Sequence, residues 1–256
     1  LKVDILFVIL FSSLAVVMPI FFLLLFAFSC VVADIVPTRT LHSIENHLID
    51  EETWVVFDVD MTLIVPVEPI LWGSFYDGFI AMARRAIPDF GIRDRKYYRN
   101  IIMNDAEYML IDPSSKELIA SLQRRGANVI ALTALEFEFA DWRLNQLKNL
   151  GIDFSKGPAS DFYCYKEGIL FSDNLSKGDV LVDFFNYHGI RPKRVIFFDD
   201  AMKFLKSVDS ALEKEGILVT CYHYQEMDYR PIQFVPAEVY QKMDILYREG
   251  RWNLHD

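Results

Sequence analysis

Four aspartates close two apolar runs in this 256-residue chain. Val55-Val56-Phe57 leads into Asp58-Val59-Asp60-Met61-Thr62, and Ile196-Phe197-Phe198 leads into Asp199-Asp200. A third run, Ile130-Ala131-Leu132, ends on Thr133. Lys177 follows Ser176, a residue type that caps helix N-termini, so it opens a helix where an anion is welcome. Brought into one crevice, four carboxylates against one ammonium repel one another unless a divalent cation or protons neutralise them. All-oxygen donors with no His or Cys beside them suit Mg²⁺ rather than zinc. A hydroxyl, an ammonium and Mg²⁺ together make a phosphate site, where a carboxylate can approach a phosphate dianion.

Those residues need elements that bring them to one place. Trp54–Phe57, Val129–Leu132, Val195–Phe198 and Ile217–Thr220 are short continuous apolar runs, the pattern of strands buried on both faces of a parallel sheet. Between them Ser114–Arg125, Phe137–Leu150, Lys177–His188 and Met202–Glu215 read as helices, each followed by a glycine stop (Gly126, Gly151, Gly189, Gly216). The alternation predicts an α/β fold, a doubly wound parallel sheet whose ligands bind at the carboxyl ends of the strands. Residues 66–111 break the alternation and read as a small, mainly helical cap. Phe162–Tyr165 and Ile169–Ser172 read as a β-hairpin. Residues 34–52 read as a polar connector, and residues 236–249 as an amphipathic helix packing on the body.

In this order along the chain, Asp58-Val59-Asp60-Met61-Thr62, Thr133, Lys177-Gly178 and Asp199-Asp200 resemble the four motifs of the haloacid dehalogenase-like (HAD-like) superfamily. The resemblance spans residues 53–221 and points within the superfamily to a bacterial branch of exported proteins. It implies a HAD-like domain over residues 53–256 and a set of roles. Asp58 would be the nucleophile that forms an aspartyl-phosphate. Asp60 would protonate the leaving oxygen and later activate water, a second aspartate that phosphatases of the superfamily have and dehalogenases lack. Thr133 and Lys177 would hold phosphoryl oxygens. Mg²⁺ would sit on Asp58, the backbone carbonyl of Asp60 and Asp199, with Asp200 close outside them. The chain departs from the pattern after the last motif, where Met202-Lys203-Phe204 stand in place of the further acidic residue of many relatives. The expected activity is Mg²⁺-dependent hydrolysis of a small phosphorylated substrate. A phosphotransferase with the same intermediate and a silent membrane-tethered binding module stay open beside it.

The rest of the chain sets the compartment and excludes some partners. From Ile5 to Ala33 there are 29 residues without a charge, long enough to cross a bilayer. Residues 1–33 therefore read as a signal peptide or a retained membrane anchor. The body is then exported, periplasmic or facing away from the cytoplasm, and it meets the membrane only if the segment is retained. A net charge of −10 argues against nucleic acid held by phosphate contacts. Three cysteines are too few for a disulfide scaffold, and Cys164 and Cys221 are expected to pack as small apolar side chains. In the cap, Trp72, Phe75, Tyr76 and Phe79 recur at helical spacing and read as packing. Arg93, Arg95, Lys96 and Arg99 read as a solvated face. Oligomeric state is not legible.

Overall fold

The apolar runs line up as a seven-stranded sheet in the computed structural model, which describes residues 35–72, 92–173, 175–231 and 236–252 (for 92–96, 236 and 238, backbone only). Its strands are β1 (Val36–Thr38), β2 (Thr53–Phe57), β5 (Asn128–Thr133), β6 (Tyr165–Lys166), β7 (Ile169–Phe171), β8 (Arg194–Asp199) and β9 (Leu218–Tyr224). They lie in the order β1-β9-β8-β2-β5-β7-β6. Every pairing is parallel except β6 with β7, the expected hairpin, whose second strand joins the main sheet beside β5. After β2 the chain goes to β5 and β7 on one side, then returns to β8 and β9 on the other. The switch point is thus the carboxyl end of β2, where open α/β sheets take their ligands.

Both faces of the sheet are covered, which is why its strands read as unbroken apolar runs. Along β2 the side chains alternate, Val55 and Phe57 into one core, Trp54 and Val56 into the other. The helices α2 (Ser115–Arg124) and α3 (Ala140–Asn149) cover the first face through Leu118, Leu122, Leu144 and Leu147. The helices α4 (Lys177–Tyr187) and α5 (Met202–Lys214) cover the second through Leu181, Phe184, Leu205 and Leu212. These two helices touch at Gly178, where a Cβ would lie 2.1 Å from the Ser207 carbonyl oxygen. Only glycine lets α4 come that close, and the close approach sets where Lys177 begins. Cys164 and Cys221 are both buried free thiols.

Two expectations need correcting. The stretch expected as a connector is, from residue 35 on, tied into the body rather than free. Val36–Thr38 pairs with Tyr222–Tyr224 of β9, and a 3₁₀ turn over Leu41–Asn46 buries Leu41 and Ile44 completely. Apolar side chains scattered through a polar stretch without a strand or helix period give too little pattern to read, yet Leu41, Ile44 and Ile49 are buried and help pin it. The buried side chains described for the helix α6 (Pro236–Glu249) join neither core on the sheet. Its Val239, Met243 and Leu246, with Trp252, form a separate cluster with Ile70, Leu71 and Ile102 of the cap region. Trp252 donates its indole N–H to Glu68 and its backbone N–H to Asp105.

The segment expected to form a cap begins and ends on a two-stranded antiparallel stem, β3 (Ile64–Pro66) with β4 (Tyr108–Leu110), and α1 (Ile92–Asp105) lies between these strands in the chain. The expected helical content of residues 73–91, with Phe75, Tyr76 and Phe79, lies outside the described residues, as do the side chains of Arg93, Arg95 and Lys96. Trp72 is buried with its N–H on the Pro66 carbonyl at 2.7 Å, in keeping with packing. The apolar segment 1–33 also lies outside the described residues. Among the described residues no helix is long and apolar enough to cross a membrane.

Candidate active site

The end of β2 is shaped by a tight turn. The Asp58 N–H donates to the Phe198 carbonyl at 2.8 Å, carrying the β2–β8 ladder one residue past the strand. Leu63 and Ile64 then donate back to the Val59 carbonyl, and Met61 donates to Ile64. Met61 sits at φ 64°, the left-handed region that a side chain adopts at a cost. Drawn in this way, the turn leaves Asp58 buried and presents Asp60 at the edge, its side chain 45% exposed.

Asp58 and Asp199 end neighbouring strands, and one ammonium joins them. Lys177, 0% exposed, donates to Asp58 Oδ1 at 2.5 Å and to Asp199 Oδ2 at 2.7 Å. It is placed there by its helix. The Ser176 hydroxyl accepts from the Asp179 N–H and caps α4, while the rings of Phe204 and Phe197 lie beside the ammonium. Burial alone would lower the Lys177 pKa, but Asp58 and Asp199 outweigh it and hold it above the ordinary value. Asp199 also accepts from the Ala201 N–H through its other oxygen.

The cluster carries more negative charge than Lys177 neutralises. Burial pushes the Asp58 carboxyl well up; Lys177 pulls it down, and the charges of Asp199, Asp200 and Asp60 push it up again. Asp200 is raised to about 7, by burial first and then by Asp199. Asp58, Asp199 and Asp200 each offer a carboxylate oxygen, all within 4.8 Å of one another. Three hard oxygens converging where carboxylates are under-neutralised fit a divalent cation of the Mg²⁺ type.

The other expected residues separate into two groups. Thr133, buried at the end of β5, reaches Asp60 Oδ2 at 3.5 Å and accepts from the Leu135 N–H, so it joins the same end of the sheet. The Asp60 carboxylate does not join the three-aspartate cluster. It is gripped by Arg143 of α3, whose guanidinium donates to both oxygens at 2.6 and 2.8 Å and whose other arm reaches Gln146. Arg143 is 1% exposed. A cavity of about 320 Å³ opens beside this pair, between the turn after β2, the stem and α1.

A family model described as "Protein of unknown function (DUF2608)" matches residues 37–252. The chain belongs to that family. An uncharacterised protein of Rickettsia prowazekii is 23% identical over 231 residues, covering 80% of this chain and 81% of its own. A Chlamydia trachomatis protein named "Putative outer membrane protein" is 22% identical, covering 84% and 85%. Among solved structures, a haloacid dehalogenase-like hydrolase from Streptococcus pneumoniae aligns with TM-score 0.44 at 17% identity, over 74% of this chain and 97% of that one. A class C acid phosphatase from Bacillus anthracis with tungstate bound aligns with TM-score 0.34 at 14% identity, over 84% of each.

Two residues of this DUF2608 chain escape a reading by motif. Arg143 stands in mid-helix, 83 positions from Asp60, in a segment that reads as an ordinary amphipathic helix. The only trace is a charged residue on the face that carries Leu144 and Leu147 into the core. His223 of β9 donates its Nε2–H to the Asp200 carbonyl at 2.9 Å and so steadies the loop that holds the acidic pair.

Proposed function

We propose that this protein is a Mg²⁺-dependent phosphomonoester hydrolase of the HAD-like type that works through a phosphorylated Asp58. One observation carries the reading: Lys177, wholly buried, spans Asp58 and Asp199 at adjoining strand ends, with Asp200 within reach of the same cation. The four ordered motifs support the same assignment. When bound, Mg²⁺ held by Asp58 and Asp199, with Asp200 beside them, would offset the negative charge of nucleophile and phosphate.

The chain's own residues supply the rest. Asp58 attacks phosphorus, the bond to the leaving oxygen breaks, and Asp60 gives that oxygen its proton. Water then attacks phosphorus as Asp60 takes up its proton, releasing inorganic phosphate and Asp58. Lys177 has three N–H groups and spends two on Asp58 and Asp199, which leaves the third for a phosphoryl oxygen. The Thr133 hydroxyl at the neighbouring strand end is a second holder. Asp60 accepts from Arg143 through both oxygens, so it has to release one of these bonds before that oxygen can carry a proton to the leaving group.

The test is a panel of phosphomonoesters with Mg²⁺, followed by acid quenching and mapping of any acid-stable phosphoryl label to Asp58. Turnover with the label on Asp58 is expected. Turnover with no label on Asp58, in rapid-quench experiments that catch the first cycle, would refute the covalent route. For the compartment, the apolar run from Ile5 to Ala33 supports export, as do the outer-membrane names of chlamydial relatives. A reporter fused after Asp256 and active only outside the cytoplasm is expected to be active.

A further inference from the structure

We infer that the cavity beside Asp60 receives the alcohol portion of the substrate, and that this portion is small, uncharged and apolar. The inference rests on the phosphatase reading of the site and goes on to name the substrate class. Asp60 belongs to the site and to the cavity wall alike. A phosphoryl group on Asp58 whose leaving oxygen faces Asp60 therefore directs the carbon side of the ester into this space.

The walls decide what fits there. Met61, Leu71, Ile102, Met103, Tyr108 and Leu135 supply apolar surface from the turn after β2, the 3₁₀ turn at Pro69–Leu71, α1, the stem and the loop after β5. Two arginines also line it, but each already has an anion. Arg143 is bound to both oxygens of Asp60, and Arg99 donates to Glu136 at 2.8 Å. A second phosphate or a carboxylate on the substrate would have to crowd a guanidinium that already faces a carboxylate, Asp60 on Arg143 or Glu136 on Arg99. That argues against sugar bisphosphates and nucleoside polyphosphates. At about 320 Å³ the cavity lies at the lower end of the roughly 300–1,000 Å³ range of ligand pockets, room for one compact group. A polyhydroxy leaving group would lose its water to walls that return few hydrogen bonds, so such esters should be discriminated against.

The experiment compares hexyl phosphate with glycerol 3-phosphate, using the full chain in lipid nanodiscs with Mg²⁺. In parallel, calorimetry measures the binding of hexylphosphonate and 2-aminoethylphosphonate. The expected result is kcat/KM at least tenfold higher for hexyl phosphate and a matching order in binding, with Leu135→Gln reducing both ratios. Turnover of both esters with equal or reversed ratios overturns the inference and leaves the phosphatase reading standing. Tighter binding of hexylphosphonate without turnover of either ester upholds the apolar occupant and overturns the phosphatase reading. No turnover and no binding preference overturn both.

Discussion

Lys177 is a fully buried cation whose two hydrogen bonds go to the two aspartates that end β2 and β8, so its charge and theirs have to be considered together. Asp58→Asn removes one negative charge from an over-acidic cluster and still leaves an oxygen to accept from Lys177. The expected outcome is loss of turnover by more than about a thousandfold with little change in the unfolding midpoint, because an amide is a poor nucleophile. Lys177→Met acts in the opposite direction. It leaves buried carboxylates uncompensated, and breaking such a pair costs about 3–5 kcal/mol, which denaturant unfolding would register. In the proposed mechanism Arg143 is a positioning residue that acts through Asp60. Arg143→Lys keeps the charge but loses the second nitrogen, the one on Gln146 that fixes how the first meets Asp60, so kcat should fall by about ten- to a hundredfold with KM nearly unchanged. A rise in KM alone would mean that Arg143 serves substrate binding instead. The difference between these residues is also a difference in legibility. Asp58, Lys177 and Asp199 stand at strand and helix ends, where residue type and position together are informative. Arg143 acquires its role only when α3 folds against the turn after β2.

At the scale of elements, the strands were legible because burial on both faces leaves no polar positions to interrupt them, whereas short pieces pinned by a few contacts were not. The segment before β2 is the clearest case. Leu41 and Ile44 are 0% exposed, and Leu41→Ala should cost about 2–4 kcal/mol by denaturant unfolding, a loss that a connector would not show. His47, at the end of that segment, makes a 2.7 Å hydrogen bond with the Tyr222 hydroxyl of β9. Burial, and after it the charge of Arg194, keeps the imidazole below its ordinary value of 6.5. The unfolded chain therefore binds the proton first, and stability should decline as pH falls from 6.5 toward the lower folded value, then level off. Urea midpoints across this range should show a step that His47→Gln diminishes; an unchanged step would place the acid sensitivity elsewhere. The partner of α6 was equally illegible. Its apolar face was readable from spacing, but nothing in a single amphipathic stripe says whether it meets the sheet or the cap.

For the molecule as a whole, the sheet creates a specific charge problem. Parallel strands deliver their last residues to one edge, and here that edge receives Asp58, Asp199 and Asp200 in a chain whose net charge is already −10. The crowding was legible in the sequence once the strands were read as parallel, because parallel strands bring their last residues to one edge of the sheet. Its consequence for stability follows from the geometry. A cation that binds the folded edge but not the unfolded chain stabilises the fold by mass action, about 2.7 kcal/mol at a hundredfold excess over Kd. For a domain of this size, that corresponds to a rise in Tm of roughly 5–10 °C. Mg²⁺ should therefore raise Tm and EDTA should reverse the rise. Asp199→Asn should abolish it, since it removes a charge from the cluster and weakens the bond to Lys177. A surface variant such as Glu213→Gln, on the exposed side of α5, should leave the shift intact and so exclude a general effect of ionic strength. If Tm were insensitive to Mg²⁺ in the parent protein, the three carboxylates would have to be neutralised by protons and Lys177 alone, and the metal would drop out of the proposed chemistry.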